Sequence, residues 1–240
     1  MGDEHVAGER LTWGEQLQAL DAAIYAAVAA TPTPTFDRAL GALSRAADHS
    51  KLWMAAASVL VATGGPHGRR AAASGLTSLG VTSAIVNIGL KPLGRRGRPD
   101  RAGAAVPVTR HVSMPLSTSF PSGHSASAFA FASGVGASLP VAAMPLRAVA
   151  TLVAYSRVHT GVHYPADVVA GSVLGGAIAP VVVSVLDRRL DARRLPPTLS
   201  RRSRRASRRH AAALWDLIGW YALAQGRRST LIASRWSIAR

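Results

Sequence analysis

The sequence predicts an all-α integral membrane protein, a helical bundle with about five to six transmembrane helices. This fold class follows from long uncharged runs and from the separation of charge and hydrophobicity along the chain. The 240 residues are 48% hydrophobic but carry a formal net charge of +16. Residues 188–240 hold 14 Arg against Asp191 and Asp216, so +12 belongs to this tail and +4 to residues 1–187. This combination excludes a soluble acidic enzyme and a disordered basic chain.

Three uncharged runs predict the membrane helices. Residues 71–90 and 168–186 are each about as long as the roughly 20 residues that cross a bilayer core. Residues 111–146 contain no Asp, Glu, Lys or Arg, and their central part is rich in Ala, Ser and Gly, which let membrane helices approach closely. With two shorter apolar runs, the chain is predicted to have five spans, at about 50–64, 71–90, 122–139, 141–157 and 166–186.

The two ends of the chain differ from this body. Residues 1–49 are predicted to form amphipathic helices at the membrane surface, separated by the TPTPT breaker at 31–35. A sixth span would have to come from residues 14–30, which contain Asp21. Residues 188–240 are predicted to be a cytoplasmic Arg-rich tail with a short amphipathic helix at 210–224.

The tail also predicts orientation and partners. Arg residues close to the last span favour a cytoplasmic C-terminus in the cell membrane, which puts the loops at the opposite end of that span outside, and the tail is expected to bind anionic lipid. Nucleic-acid binding by the tail is the alternative interpretation. It is disfavoured, because no nucleic-acid fold accompanies the tail and a membrane body already explains the charge.

Polar residues of the body concentrate in two places that are predicted to lie on one face of the membrane. Residues 91–101 and 118–125 lie between the second and third spans, and residues 156–167 join the fourth and fifth. The two places are separated by two crossings, so they converge on the same side. The chain has no Cys, which excludes Cys nucleophiles and thiolate metal sites.

These segments contain residue types that bind phosphate. Lys91, Arg98 and Arg157 supply positive charge, and Arg can hold two phosphate oxygens at once. Ser122 and Gly123 begin the third span, where backbone N–H groups and the helix dipole favour an anion.

The same segments contain residue types that move protons. His124, beside the predicted anion site, can give a proton to a leaving oxygen. Asp167 lies four residues after His163, at the start of the fifth span, so its carboxylate can accept the proton on one ring nitrogen and leave the other free as a nucleophile.

The sequence K-x6-R-P at 91–99, P-S-G-H at 121–124 and S-R-x5-H-x3-D at 156–167 resembles the three-part signature of the type 2 phosphatidic acid phosphatase (PAP2) superfamily. That superfamily also contains bacterial acid phosphatases and vanadium haloperoxidases. All three parts are present in order, and the resemblance covers about residues 50–187. It implies that His163 is a nucleophile forming a phosphohistidine, that Asp167 orients it and that His124 protonates the leaving group. It also implies that phosphate is held without metal or cofactor by Lys91, Arg98, Ser122, Gly123 and Arg157.

The expected function is hydrolysis of a lipid phosphate, such as phosphatidic acid or a polyprenyl (undecaprenyl) diphosphate. The alternatives are a vanadium-haloperoxidase-like oxidoreductase and a non-catalytic membrane protein with a nucleic-acid-binding tail. Among the remaining polar residues, Arg95, Arg96 and Arg101 are expected to form a solvated rim, and Asp100 to pair with one of them. His159, which is not in the signature, is expected to support the site from behind or to serve packing.

Overall fold

The computed structural model describes residues 12–194, and within this range the chain forms helices and connecting loops alone. The tail beyond residue 194, with the helix predicted at 210–224, lies outside the described residues. Residues 12–194 form seven α-helices: α1 Trp13–Ala30, α2 Pro34–Ala46, α3 Lys51–Thr63, α4 Gly65–Ala84, α5 Gly123–Ser138, α6 Ala143–His159 and α7 Pro165–Arg194.

Helix α5 is the centre of the bundle, packed against α4, α6 and α7. Its sequence, GHSASAFAFASGVGAS, has Phe129 and Phe131 as its only large side chains besides His124, and ten of its 16 residues are buried. Phe131 packs on Trp53 of α3, with ring centroids 5.2 Å apart. A helix of small residues can be surrounded on several sides because neighbouring backbones approach it closely.

Two glycines one turn apart bring α7 onto α5. A Cβ on Gly171 would lie 2.4 Å from the Ser122 carbonyl oxygen, and one on Gly175 would lie 2.1 Å from that of Ala126. These distances are far below van der Waals contact. The GxxxG pattern at 171–175 therefore serves helix packing, and it sets where the start of α7 meets the start of α5.

The predicted spans correspond to helices, but not all reach membrane length. Three segments of the described chain are long and apolar enough to cross a membrane, Gly65–Leu93, Pro140–His159 and Pro165–Asp191. The other two predicted spans form α3, with 13 residues, and α5, with 16, both shorter than the roughly 20 residues of a typical span. Exposed Val59, Leu152 and Val173 give the sides of the bundle an apolar surface.

Two boundary predictions were wrong. Helix α7 continues to Arg194 rather than ending near residue 186. Helix α4 begins at Gly65 rather than near residue 71, because Pro66 suits a first helical turn and charged Arg69 and Arg70 do not end a helix. At its other end the helix continues as a π-helical turn, Ile85–Leu90, and a 3-10 turn, Lys91–Leu93. This change of helical pitch precedes the first predicted phosphate-binding residue.

The helices predicted in residues 1–49 on either side of the TPTPT breaker are present as α1 and α2. Thr12 caps α1 through a capping box with Glu15, and Pro34 starts α2. Both pack against α6, and α1 also packs against α7. The buried polar residues Asp21, Asp37 and Ser44 lie on these two helices, so they are part of the protein interior at one end of the bundle.

The Gly175 contact predicts a sharp difference between neighbouring glycines. Gly175→Ala places a methyl group against the α5 backbone and is expected to lower the free energy of unfolding by about 1–3 kcal/mol. Gly176 has open space around its Cβ position, and Gly176→Ala is expected to be neutral or to stabilise the helix by about 0.5–1 kcal/mol. Thermal unfolding of both variants in the same detergent measures the difference. Equal unfolding temperatures would contradict the packing described for α5 and α7.

Candidate active site

A cavity of about 290 Å³ opens at the end of the bundle where α4 ends and α5 and α7 begin. Five of the eight predicted site residues line it: Lys91, Arg98, Gly123, His124 and His163. The other three, Ser122, Arg157 and Asp167, are buried behind it. The two polar segments that the sequence placed on one face therefore meet at one cavity.

His163 lies in the loop between α6 and α7 and is 1% exposed. Its Nδ1 is 3.5 Å from Oδ2 of Asp167 and 3.4 Å from Oγ of Ser119. The Ser119 hydroxyl also donates to the same Asp167 oxygen. The histidine and the aspartate are thus neighbours, as their i,i+4 spacing predicts, and Ser119 joins them.

The Asp167 carboxylate is fully buried and surrounded by donors. Its Oδ1 accepts a hydrogen bond of 2.9 Å from Nη1 of Arg96. Its Oδ2 accepts one of 2.9 Å from the backbone N–H of Tyr164, besides that from Ser119. A buried carboxylate remains charged only when it is paired and hydrogen-bonded in this way. Asp167 is therefore an ionised acceptor beside His163.

The contact with Arg98 indicates which ring nitrogen of His163 carries the proton. Nη1 of Arg98 lies 3.3 Å from Nε2 of His163 and donates to the Val162 carbonyl at 2.7 Å. A guanidinium nitrogen only donates, so Nε2 presents a lone pair and the ring proton sits on Nδ1, toward Asp167 and Ser119. The nitrogen with the free electron pair is the one beside the cation of the cavity.

Burial keeps His163 neutral. Desolvation lowers the pKa of His163 from its ordinary value to about 4; the hydrogen bond to Asp167 opposes this shift, and the nearby cation of Arg98 adds to it. A neutral imidazole with an unprotonated Nε2 is the form that can act as a nucleophile.

Lys91, Arg98 and Gly123 form the wall of the cavity beside His163. Nζ of Lys91 donates to the Ser117 hydroxyl at 3.1 Å, and Nε of Arg98 donates to the Ser117 carbonyl at 2.9 Å. A Cβ on Gly123 would lie 3.0 Å from Oδ1 of Asn87 and 3.6 Å from Nζ of Lys91, so a glycine leaves this corner open. Two cations and the N-terminus of α5 thus face one space, which suits an anion.

Ser122 and Arg157, both predicted to bind phosphate, have partners within the protein. The Ser122 N–H donates to the Asp167 carbonyl at 2.9 Å, and its hydroxyl caps α5 by accepting from the Ser125 N–H. Nη1 of Arg157 donates to the Ser44 hydroxyl at 2.6 Å. Both residues support the walls of the cavity, and neither lines it.

His124 has a partner from the N-terminal part of the chain. Its Nε2 is 2.8 Å from Oδ1 of Asp48, in the turn between α2 and α3, and the same oxygen is 3.6 Å from Nη1 of Arg157. Nothing in the local sequence around either residue indicates this contact, because 76 positions separate them.

Of the three arginines that were expected to form a solvated rim, only one is exposed. Arg95 is exposed, as predicted. Arg96 instead contacts both Asp21 of α1 and Asp167, and Arg101 donates to the carbonyls of Gly161 and Val112. Arg96 thus pairs with buried carboxylates, and Arg101 donates to loop carbonyls. A run of adjacent arginines in the sequence does not show whether they have such partners or form a solvated surface.

Two further expectations concern single residues. Asp100 accepts from the N–H of Ala102 rather than from an arginine side chain. His159 is buried, with Nε2 2.9 Å from the Thr33 hydroxyl and 3.2 Å from Asp37, so it packs α6 against the N-terminal helices, as expected. Several residues of the site were not predicted from the sequence. Among them only Ser119 has a signal in the neighbouring sequence, namely its position two residues before the P-S-G-H segment.

A family model described as the PAP2 superfamily matches residues 71–191, about half of the chain. The chain belongs to the PAP2 superfamily. The matched region contains all three signature segments and the eight predicted site residues, whereas Ala47, His49, Ser50 and Trp53 of the cavity lining lie before it.

Two curated relatives of this PAP2 chain, from two strains of Mycobacterium tuberculosis, are named decaprenylphosphoryl-5-phosphoribose phosphatase. Each is 40% identical over 100 residues, which cover 40% of this chain and 51% of the relative. The match therefore spans about half the length of these relatives.

Two solved structures resemble the fold. A transmembrane PAP2-type phosphatidylglycerolphosphate phosphatase from Bacillus subtilis has a TM-score of 0.55 and 25% identity, over 72% of this chain and 87% of that one. LpxE from Aquifex aeolicus has a TM-score of 0.53 and 22% identity, over 69% and 95%. With a transmembrane PAP2 protein as the first of these neighbours and three helices of membrane length among the described residues, the PAP2 chain is a membrane protein.

The Arg96 contacts predict that Asp21 stabilises the site end of the bundle. Asp21→Ala removes the carboxylate that accepts from Nη2 of Arg96 and from the Ala166 N–H at 2.8 Å, whereas Nη1 of Arg96 keeps its contact with Asp167. The expected loss is about 2 kcal/mol in the free energy of unfolding. Asp187→Ala is the matched control, because Asp187 pairs with Arg70 at the exposed surface, where such pairs contribute about 0–1 kcal/mol. Equal unfolding temperatures of the two variants in detergent would contradict the role of Asp21.

The tautomer and burial of His163 predict its NMR signature. In protein with 15N-labelled histidine, the resonance that disappears in His163→Ala is expected to show Nδ1 protonated and Nε2 unprotonated from pH 8 to about pH 5. Protonation should begin only as the pH approaches the pKa of about 4. A titration midpoint near 6.5, the value of an exposed histidine, would contradict this assignment.

Proposed function

We propose that this PAP2 protein is a membrane phosphatase that hydrolyses the phosphoester or diphosphate of a lipid through a phosphohistidine intermediate on His163. The observation that carries the proposal is the placement of an unprotonated His163 Nε2 beside the cation Arg98 in a cavity that Lys91 also lines. A nucleophile and cations at one cavity are what phosphoryl transfer to a side chain requires.

The first half of the reaction forms the intermediate. His163 Nε2 attacks phosphorus, and the bond to the leaving oxygen breaks with its electron pair going to that oxygen. His124 gives a proton to the oxygen as it leaves. Asp167 and Ser119 hold the Nδ1 proton side of the His163 ring, so the charge that develops on the imidazole lies against a fixed carboxylate.

The second half releases phosphate. Water attacks the phosphohistidine, now-neutral His124 takes a proton from that water, and the electron pair of the P–N bond returns to Nε2. The phosphate charge in both halves is offset by Lys91, Arg98 and the N-terminus of α5, with Arg157 supporting the wall. The proposed chemistry needs no metal ion or cofactor.

A prenyl-linked phosphate is the first substrate class to test. The relatives from Mycobacterium tuberculosis, 40% identical over 100 residues, are named for a decaprenyl-linked phosphoribose. Phosphatidic acid and undecaprenyl-type diphosphates are the other candidates, since a cavity at the end of a membrane bundle can take a phosphate at headgroup level. We place the protein in the cell membrane with the cavity outside and the Arg-rich tail in the cytoplasm, where it would bind anionic lipid.

A phosphate-release panel tests the proposal. Purified protein in detergent with EDTA is expected to release phosphate from at least one of phosphatidic acid, a prenyl phosphate and a prenyl diphosphate. His163→Ala should lower the rate at least 1,000-fold, because the covalent route is lost. His67→Ala is the matched control, since His67 is exposed at the opposite end of the bundle.

The intermediate gives a second readout. With 32P-labelled substrate and an alkaline quench, which preserves phosphohistidine, the wild-type chain should carry label on Nε2 of a histidine and the His163→Ala chain should carry none. No release from any lipid class, or full activity in His163→Ala, would overturn the proposal. Halide oxidation that depends on added vanadate would favour the haloperoxidase alternative instead.

A further inference from the structure

The site contains a second pairing of a carboxylate with a histidine, which the three-part signature does not include. Oδ1 of Asp48 lies 2.8 Å from Nε2 of His124 and 3.6 Å from Nη1 of Arg157. Asp48 comes from residues 1–49, outside the region that resembles the family, and His49 beside it lines the cavity. The pairing is the counterpart, for the proton donor, of the contact between Asp167 and the nucleophile.

The backbone around Asp48 is shaped to hold this position. The next two residues, His49 and Ser50, have φ values of 54° and 60°, a left-handed conformation that side-chain-bearing residues rarely adopt. Together they turn the chain between the end of α2 and the start of α3. Asp48 itself is part-buried, and its carboxylate is directed at His124 rather than at solvent alone.

The charges around His124 explain why such a partner matters. Burial is the largest effect that lowers the pKa of His124, and the nearby cations Arg157 and Lys91 lower it further. Asp48 is the carboxylate in contact with it. The hydrogen bond with His124 holds the pKa of the Asp48 carboxyl below its usual range, so Asp48 is ionised at neutral pH.

We propose that Asp48 is a positioning residue that orients His124 and stabilises its protonated form, so that His124 can donate a proton to the leaving oxygen. This inference rests on the proposed phosphatase function. In the attack step the Nε2–H group of His124 remains hydrogen-bonded to Asp48. The proton on Nδ1 of His124 moves to the oxygen that leaves phosphorus. When water attacks the phosphohistidine, the same Nδ1 takes a proton from that water, which restores the starting form.

The dependence on the leaving group separates this role from a structural one. An alkyl phosphate such as dioctanoyl phosphatidic acid needs a proton as its alcohol leaves, whereas p-nitrophenyl phosphate releases a stable anion without one. Asp48→Asn is expected to lower kcat/KM for the alkyl phosphate by about 10- to 100-fold and that for the aryl phosphate by less than about threefold. Asp48→Glu, which keeps the carboxylate, should recover part of the loss. Asp187→Asn, far from the cavity, should change neither value.

The pH profile and a double variant add independent readouts. In Asp48→Asn the descending limb of kcat/KM for the alkyl phosphate should move to lower pH, because the carboxylate that favours protonated His124 is gone. His124→Ala should show the same selective loss, and adding Asp48→Asn to it should cost little more, since both act through one proton.

The outcomes distinguish this proposal from the proposed function. Phosphate release by the wild type that is lost in His163→Ala supports the phosphatase function whatever Asp48 does. Given that result, an equal fall on both substrates in Asp48→Asn would overturn the positioning role and indicate a structural one. Faster turnover of both substrates would also overturn it, and would indicate that Asp48 competes with phosphate for Arg157 and His124.

Discussion

The buried carboxylate of Asp167 is the constraint on which the candidate site depends. A charge with no solvent contact must be surrounded by donors, and here these donors come from three separate parts of the chain: Arg96, Ser119 and Tyr164. The backbone carbonyl of the same residue accepts from the Ser122 N–H at the start of α5. The hydrogen bonds to Asp167 therefore hold the loop before α5, the loop before α7 and the first turns of both helices around His163.

The packing of the bundle determines whether these donors can reach Asp167. The start of α7 lies on the start of α5 only because Gly171 and Gly175 allow the backbones to touch. Ala and Ser along α5 allow the other helices to approach from the remaining sides. Close packing in the apolar part of the molecule and hydrogen bonding at the cavity are thus two consequences of the same small-residue pattern.

Much of this architecture could be predicted from the sequence, because its signals are local. Uncharged runs located α4, α5 and α7, shorter apolar runs located α3 and α6, and the i,i+4 spacing placed Asp167 beside His163. Cavity-facing positions for Lys91, Arg98, Gly123 and His124 also follow from their segments. Their roles in chemistry remain predictions.

What the sequence could not indicate are contacts between distant segments. Arg96 looks like one of several adjacent surface cations, yet its partners are Asp21 and Asp167, 75 and 71 positions away. Asp48 and Ser44 lie in a segment expected to rest on the membrane surface, but they contact His124 and Arg157. Pairing of this kind depends on how helices stack, and no local pattern records it.

Residues 1–49 are joined to the bundle by carboxylates at three points. Asp21 contacts Arg96, Asp37 contacts Arg110 at 2.9 Å, and Asp48 contacts His124. The partners of the three carboxylates, two arginines and one histidine, all belong to residues 91–124. The net charge of +4 in residues 1–187 therefore includes arginines that are already paired with carboxylates.

Lys91 and Arg98 differ from these arginines, because their side chains contact hydroxyl, carbonyl and imidazole groups rather than a carboxylate. Their positive charge is therefore available to an anion in the cavity. The distribution of partners, rather than the net charge, is what makes this one cavity cationic.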